Sequence, residues 1–492
     1  MLEKDSLKNK TISALFYSFS GFIAQSGVQF VFAIILARLL LPQDYGILGM
    51  TIIFLAISQI FIDGGMTTAL IREKEVSEED YSTVFYYNFA IAVIIYCILF
   101  ISAPAISNFF REPILLVIIR VLSLNIIIGS IGLIQRTILV RKLNFKTQTK
   151  IDVIALVLAG ILAIILAYNG FGVWSLVING LAKQLISSSL LVAYNKWTPL
   201  LVFDFNSFKK LFGFGWKMMV TGILSTIYNN VYNIIIGRFY LATMLGYYTK
   251  SLELRDAAAN SITSSVAKVS YPALSKLQDD HQRFKAGFKR IIKNSSFLTF
   301  PMMIGLAAVA NQLIQLLFGT NWLPMVPYFQ ILCLSGMTLP HRALNLNILQ
   351  VKGRSDLFLK LDILKMVIGL IFISVVIILN LGIYGLLWTT FLNAQIALIV
   401  NSHYSKELIS YSTKEQIIDM IPTVIISIIM GILVFAVGGL LPFSNAIILP
   451  IQVITGVTIY VIISKLARIK EFDTVYQLTK QMFQKMWKRL TV

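Results

Sequence analysis

The chain of 492 residues is 57% hydrophobic and only 13% charged, with a mean hydropathy of +0.78. Soluble domains carry about 25% charged residues, so the three soluble domains that this length would suggest are excluded. The formal charge of +19 lies mostly in alternate loops, the distribution that membrane topology imposes; with no nucleic-acid-binding motif, a nucleic-acid partner is not expected.

Apolar runs of spanning length recur from end to end. A spanning helix needs about 20 mainly apolar residues, and backbone polar groups in lipid must bond within a helix or a closed barrel. Continuous runs without strict alternation exclude the barrel. The predicted fold is an all-α integral membrane protein of about fourteen transmembrane helices. In chain order the spans fall near 11–38, 46–70, 83–110, 114–139, 151–169, 172–194, 210–237, 246–273, 287–318, 322–349, 361–380, 383–405, 418–439 and 444–466. The first apolar stretch is too long for a cleavable signal peptide and runs straight into the next span.

The loops between these spans set the orientation. Arg136, Arg141, Lys142, Lys146 and Lys150 cluster at the end of the fourth span and in the loop after it, and Arg283, Lys285, Lys289, Arg290 and Lys293 cluster just before and at the start of the ninth. With both termini inside, nearly all Lys and Arg are cytoplasmic, and few (Arg38, Arg111, Arg238, Lys250) lie outside or near the outer ends of spans. Cys97 and Cys333 both fall in apolar runs, which argues against a disulfide framework, and two isolated Cys with three His argue against a metal site. No cofactor is expected.

Three short matches suggest an internal repeat. Ala37-Arg38 with Gly46 recurs 200 residues later as Gly237-Arg238 with Gly246. Lys150-Ile151-Asp152-Val153 recurs as Lys360-Leu361-Asp362-Ile363, and Gly172-Val173-Trp174 as Gly382-Ile383-Tyr384, both 210 residues on. They predict two six-helix lobes, 1–206 and 207–410, related by a parallel pseudo-twofold, a known way to build a transporter with its site between the halves. Residues 411–466 add two helices. Residues 467–492 form a basic amphipathic tail, with Lys470, Lys485, Lys488 and Arg489 beside Met482, Phe483 and Trp487, suited to the cytoplasmic lipid surface.

The segment Leu36-Ala-Arg-Leu-Leu-Leu-Pro-Gln-Asp-Tyr-Gly-Ile-Leu-Gly-Met50 resembles the first periplasmic turn of polysaccharide exporters. Further segments similar to those exporters are Asp63-Gly-Gly-Met-Thr-Thr-Ala-Leu-Ile71, Arg141-Lys-Leu-Asn-Phe145 and Gly170-Phe-Gly-Val-Trp-Ser-Leu176. Together they resemble the Wzx-type, colanic-acid-exporter-like branch of the multidrug/oligosaccharidyl-lipid/polysaccharide exporter superfamily. The resemblance implies alternating access between two lobes in a bacterial cytoplasmic (inner) membrane. It also implies a substrate, undecaprenyl diphosphate carrying an oligosaccharide repeat unit, and partners in polysaccharide assembly beside membrane lipids.

Such a lipid needs cations for its diphosphate, and Arg grips phosphate oxygens bidentately. Charges inside spans are costly and therefore functional candidates. Arg255, in Lys250-Ser-Leu-Glu-Leu-Arg-Asp256, could contact phosphate, take part in a charge switch, or pair with Asp256 or Glu253 to fix helix packing. Arg342, beside His341, could meet the diphosphate or snorkel to the inner interface. Lys183 has no acidic neighbour in its span, which favours a cavity-facing role. Arg120, Lys217 and Lys268 could snorkel; Arg120 and Lys268 stay among the substrate candidates, and Lys365 is a further intramembrane cation. Asn229 and Asn233, with Asn230, Gln25 and Gln29, could bind sugar hydroxyls or join helices. Asp63, before Gly64-Gly65, could take a coupling ion, H+ or Na+, or cap backbone amides. Asp152 and Asp362 are read as acids at helix starts. Arg38 and Arg238 read as interfacial anchors or an outward gate. There is no phosphate-binding loop for ATP and no large extramembrane domain for catalysis, so an enzyme is not expected. An ion-coupled drug exporter, or a polymerase or ligase acting on the same lipid, are the competing readings.

Overall fold

The computed structural model describes residue 21 and residues 25–275, 277, 280–352 and 354–477. Among them every regular element is helical. The order is α1 (Gln25–Leu39), α2 (Pro42–Asp63), α3 (Met66–Arg72), α4 (Glu78–Phe110), α5 (Leu115–Leu122), α6 (Leu124–Arg141), α7 (Phe145–Tyr168), α8 (Val173–Asn195) and α9 (Phe205–Phe239). Then follow α10 (Ala242–Ser275), α11 (His281–Ala308), α12 (Ala310–Phe318), a 3-10 turn (Thr320–Met325), α13 (Val326–Gly336), α14 (Leu339–Val351) and α15 (Ser355–Ile378). The last four are α16 (Gly382–His403), α17 (Ser405–Ile409), α18 (Thr413–Leu440) and α19 (Asn445–Leu466).

Among the described residues eleven helical stretches are long and apolar enough to cross a membrane, against the expected count of about fourteen. The other expected spans fall on α1, described from residue 25, and on α9 and α10. Those two are long enough at 35 and 34 residues, but they carry more polar side chains. Several expected spans are also interrupted. The second breaks after Asp63, because Gly64 and Gly65 both take left-handed φ (54° and 71°), a conformation that costs a side-chain-bearing residue energy. The fourth divides at Ser123, the ninth at Val309, and the tenth starts as a 3-10 turn.

Helix starts follow local chemistry. Ser77 and Asp80 form a reciprocal capping box on α4, with Ser77 N–H donating to Asp80 at 2.9 Å and Asp80 N–H to Ser77 Oγ at 3.2 Å. Ser412 and Glu415 do the same for α18. Asp204 caps α9 by accepting from the N–H groups of Asn206 and Ser207. The Ser207 hydroxyl and these two amides hold its exposed carboxyl below the usual carboxylate range.

The chain falls into two compact units, Met1–Thr249 and Lys250–Val492, with the boundary inside α10. In the first, α8 packs on α7 and α6, and α9 packs on α2, α3 and α4. Helices α6 and α8 run parallel. Gly132 lies against Ser188, whose hydroxyl donates to the Ile128 carbonyl at 2.9 Å. Small residues at such contacts let backbones approach, which is how helices associate where lipid removes the hydrophobic drive. In the second unit α11 packs chiefly on α18, and α18 on α19. Residues 470–477 form a further helix, and Phe472 and Val475 pack against the core cluster of Phe297, Met430 and Tyr460. The rest of the expected basic tail, 478–492, lies outside the described residues.

Candidate functional site

Within the second unit Arg255 is nearly buried, its side chain 12% exposed. Its Nε donates to Asp256 Oδ1 at 2.8 Å, its Nη2 to the same oxygen at 2.5 Å, and its Nη1 to Ser335 Oγ of α13 at 3.0 Å. Gly336 leaves room for the arginine stem, since a Cβ there would lie 3.1 Å from Arg255 Cδ. The ion pair that the sequence offered as one alternative is therefore present with Asp256. A guanidinium has five N–H donors, so these three bonds leave N–H groups for an anion. Glu253, the other acid, pairs instead with the buried Lys250 at 3.0 Å. Lys250 also sits 5.5 Å from the centre of the Phe318 ring.

Lys183 projects from α8 in the first unit, half-buried and with no ion pair among the described residues. One turn before it stands Asn179, whose side-chain oxygen is buried without a hydrogen-bond partner. Across the α6–α8 contact the Asn125 amide lies beside Gly180, and its oxygen is likewise buried and unpaired. Sequence reading missed Asn125 and Asn179. Their only signal is the position of an amide opposite a glycine, which needs the helix register to be seen.

The remaining candidates are scattered. Arg120 is held to α4, donating through Nε to the Phe100 carbonyl at 3.3 Å with its guanidinium 4.2 Å from that ring's centre. Arg238 donates to the Phe109 carbonyl and stacks 5.1 Å from its ring. Arg38 is exposed. Asn233 is buried and donates to Asn230 Oδ1 at 3.2 Å, Asn230 donates to the Thr226 carbonyl, and Asn229 is exposed. Gln25 is half-buried, and the Lys268 side chain lies outside the described residues. Arg342 is half-buried, and its backbone carbonyl accepts from Asn401 at 3.2 Å. Its neighbour His341 turns into the core against Ser296 Oγ at 2.7 Å. The Asp63 carboxylate accepts from the hydroxyl and the N–H of Thr67 across the Gly64-Gly65 break.

Asp152 and Asp362 do not start helices. Helices α7 and α15 begin seven residues earlier, at Phe145 and Ser355. Asp152 instead makes a two-pronged pair with Arg136 of α6, at 2.6 and 3.1 Å, and Asp362 pairs with Lys365 at 2.6 Å. Both acids lie past the first turn, where the charge of the helix end has fallen off, so a neighbouring cation is their partner instead.

The second unit also holds an apolar cavity of about 860 Å³ between α11, α13, α16 and α18. Phe300, Met337, Leu398, Met420 and Ile428 line it, with Gln330 and Gln395 among the few polar groups.

A sequence profile described as "Polysaccharide biosynthesis protein" matches residues 35–327. The chain is 29% identical over 306 residues to the teichuronic acid biosynthesis protein TuaB of Bacillus subtilis (strain 168), a match covering 61% of this chain and 62% of that one. It is 24% identical to the lipopolysaccharide biosynthesis protein WzxC of Escherichia coli (strain K12), over 73% of this chain and 74% of the relative. With the succinoglycan biosynthesis transport protein ExoT of Rhizobium meliloti (strain 1021) it shares 28% identity over 63% of each chain. Among solved structures, the lipid II flippase MurJ in an inward closed conformation has the same fold, with a TM-score of 0.74 at 17% identity over 92% of this chain and 98% of that one. An inward-facing multidrug transporter of the MATE family of the MOP superfamily reaches 0.59 at 15% identity, over 78% and 95%.

Proposed function

The chain belongs to the family of polysaccharide biosynthesis proteins, and from that premise we propose that it is a flippase that moves lipid-linked oligosaccharide across the membrane. The profile match across residues 35–327 carries this reading, and relatives named for polysaccharide biosynthesis and transport support it. The substrate is an undecaprenyl diphosphate bearing an oligosaccharide repeat unit, taken from the cytoplasmic leaflet of a bacterial inner membrane and released outside. Both termini are cytoplasmic. About fourteen helices form lobes 1–206 and 207–410 that rock about the substrate, with residues 411–466 appended. No covalent chemistry is required.

The charges suit that task. The free N–H groups of Arg255 and the ammonium of Lys183 are cations in a low-dielectric setting, where an anionic headgroup gains most from them. The apolar cavity, with its almost wholly hydrocarbon lining, accommodates a section of polyprenyl chain. Polysaccharide-assembly proteins receive the product.

The test is headgroup translocation in proteoliposomes. A fluorescent undecaprenyl-diphosphate oligosaccharide is followed with an impermeant quencher, under an imposed H+ or Na+ gradient. Protein-dependent translocation is the expected result. Export of a small cationic drug without any movement of the glycolipid would overturn the proposal in favour of a drug exporter.

A further inference from the structure

The linker between α8 and α9, residues 196–204, has no regular secondary structure and lies outside every membrane-spanning stretch. It nevertheless displays Leu200, Leu201, Val202 and Phe203 to the outside, followed by Phe205 in the first turn of α9. Leu201 is 96% exposed. A run of this kind in water would be an aggregation hazard.

The linker is nonetheless held in place. Trp197 Nε1 donates to Glu78 Oε2 at 2.6 Å, Gln135 Nε2 to the Trp197 carbonyl at 2.9 Å, Leu200 N–H to Ser82 Oγ at 2.9 Å and Asp204 N–H to Thr83 Oγ1 at 2.9 Å. The Trp197 ring packs edge-on against Tyr81 and Phe85. At the other end Phe203 and Phe205 lean on Phe208, which stacks on Phe212. The linker is thus pinned to the first turns of α4 and to Gln135 of α6, while much of its apolar side-chain surface stays uncovered.

Two physical limits place this run. A lipid-exposed backbone without regular hydrogen bonding cannot enter the hydrocarbon core, where amides need partners, and the apolar side chains of the run are unfavourable in water. The headgroup–acyl boundary satisfies both, and it is where aromatic side chains concentrate. Exposed lysines flank the run, Lys196 before it and Lys209 and Lys210 after it, and lysines in this layer attract anionic headgroups.

We propose that residues 200–205 form an interfacial anchor, a preformed strap whose apolar side chains insert into the boundary layer of an anionic leaflet with Lys196 and Lys209 on its headgroups. By the charge distribution of the loops that leaflet is the cytoplasmic one. The anchor stands independently of the transported substrate.

The experiment places a single cysteine at Leu201, in a full-length Cys97→Ser/Cys333→Ser background, and labels it with an environment-sensitive fluorophore. The protein is reconstituted in vesicles with and without phosphatidylglycerol, and Glu75→Cys serves as a water-exposed reference. The expected result is blue-shifted emission, weak iodide quenching relative to the reference, and strong quenching by a lipid spin-labelled near the headgroup. Removing the anionic lipid, or introducing Lys196→Glu with Lys209→Glu, reduces the quenching by that lipid. Iodide quenching equal to that of the reference would overturn the anchor. So would protection from both quenchers, which would mean a protein cover, or stronger quenching from a mid-bilayer label. Phe205→Cys provides a second position should the first not assemble.

Discussion

Gly46 of α2 and Gly246 of α10 face each other's helices at equivalent points. A Cβ on Gly46 would overlap the Ala242 carbonyl, and a Cβ on Gly246 would overlap the Pro42 carbonyl. Pro42 and Ala242 are separated by the same 200 residues as the two glycines. One turn on, Gly49 meets Thr249, at 3.0 Å from a built Cβ to Thr249 Cγ2, and the same offset recurs.

Gly46→Ala and Gly246→Ala are each expected to lower stability by about 1–3 kcal/mol, because backbone atoms cannot make way for the added methyl. Thermal unfolding in detergent measures this. Gly213→Ala is the control, since nothing lies within 4 Å of its built Cβ, and alanine there is expected to stabilise α9 by roughly 0.5–1 kcal/mol. Equal effects at Gly46 and Gly213 would contradict the close contact.

Arg136→Ala is expected to cost on the order of 1–3 kcal/mol, since it leaves the mostly buried Asp152 carboxylate without its two-pronged partner. The partial exposure of both side chains, 35% and 17%, keeps the cost below that of a fully buried pair. A double-mutant cycle with Asp152→Asn reads the coupling. Strict additivity would remove the pair from the account of how α6 and α7 are joined.

Arg255→Lys keeps the charge and loses the fork that joins Asp256 to Ser335. It is expected to slow headgroup translocation by about tenfold or more, the scale of one or two charge-assisted hydrogen bonds. Ser335→Ala separates positioning from charge: a smaller loss at unchanged thermal stability is the expected outcome. Wild-type rates in Arg255→Lys would assign the arginine to packing alone.

Lys183→Ala is expected to reduce translocation several-fold, roughly the value of one charged contact, with little change in unfolding temperature because the lysine holds no ion pair among the described residues. Lys183→Arg should retain most activity. A large stability loss with unchanged transport per folded molecule would point to a structural role.

Asp204 gives a pH signature. Its carboxyl titrates lower in the folded chain than in the unfolded one, so its contribution is complete above the unfolded value near ~4 and is lost as pH falls through the folded value. The unfolding temperature of wild type should therefore exceed that of Asp204→Ala at pH 7, with the gap closing below about pH 4. A gap independent of pH would rule out the charged cap.

Much of the fold was legible because bilayer physics writes itself into composition. Apolar length marks the helix from Val173 to Asn195 or from Thr413 to Leu440 without reference to any partner. The breaks were harder. Gly64-Gly65 was visible as a pair of glycines, but the left-handed turn that splits α2 from α3 follows from packing, since Gly65 must admit the Gly215 backbone. Asp152 reads as a helix-start acid in the sequence because the apolar part of its helix starts at 151; residues 146–150, polar and basic, carry α7 back to Phe145.

The candidate site divides in the same way. Sequence alone determined which side chains are expensive in a membrane, and Arg255, Lys183, Arg120 and Arg342 were all found by that cost. It could not say which charges are already neutralised. Arg255 meets Ser335 eighty residues on, Arg120 stacks on Phe100, and the orphan oxygens of Asn125 and Asn179 depend on the register of α6 against α8. Spacing along a helix is a local property, set by a fixed rise per residue. Whether a charge finds a partner depends on which helix packs beside it, and only the tertiary structure decides that.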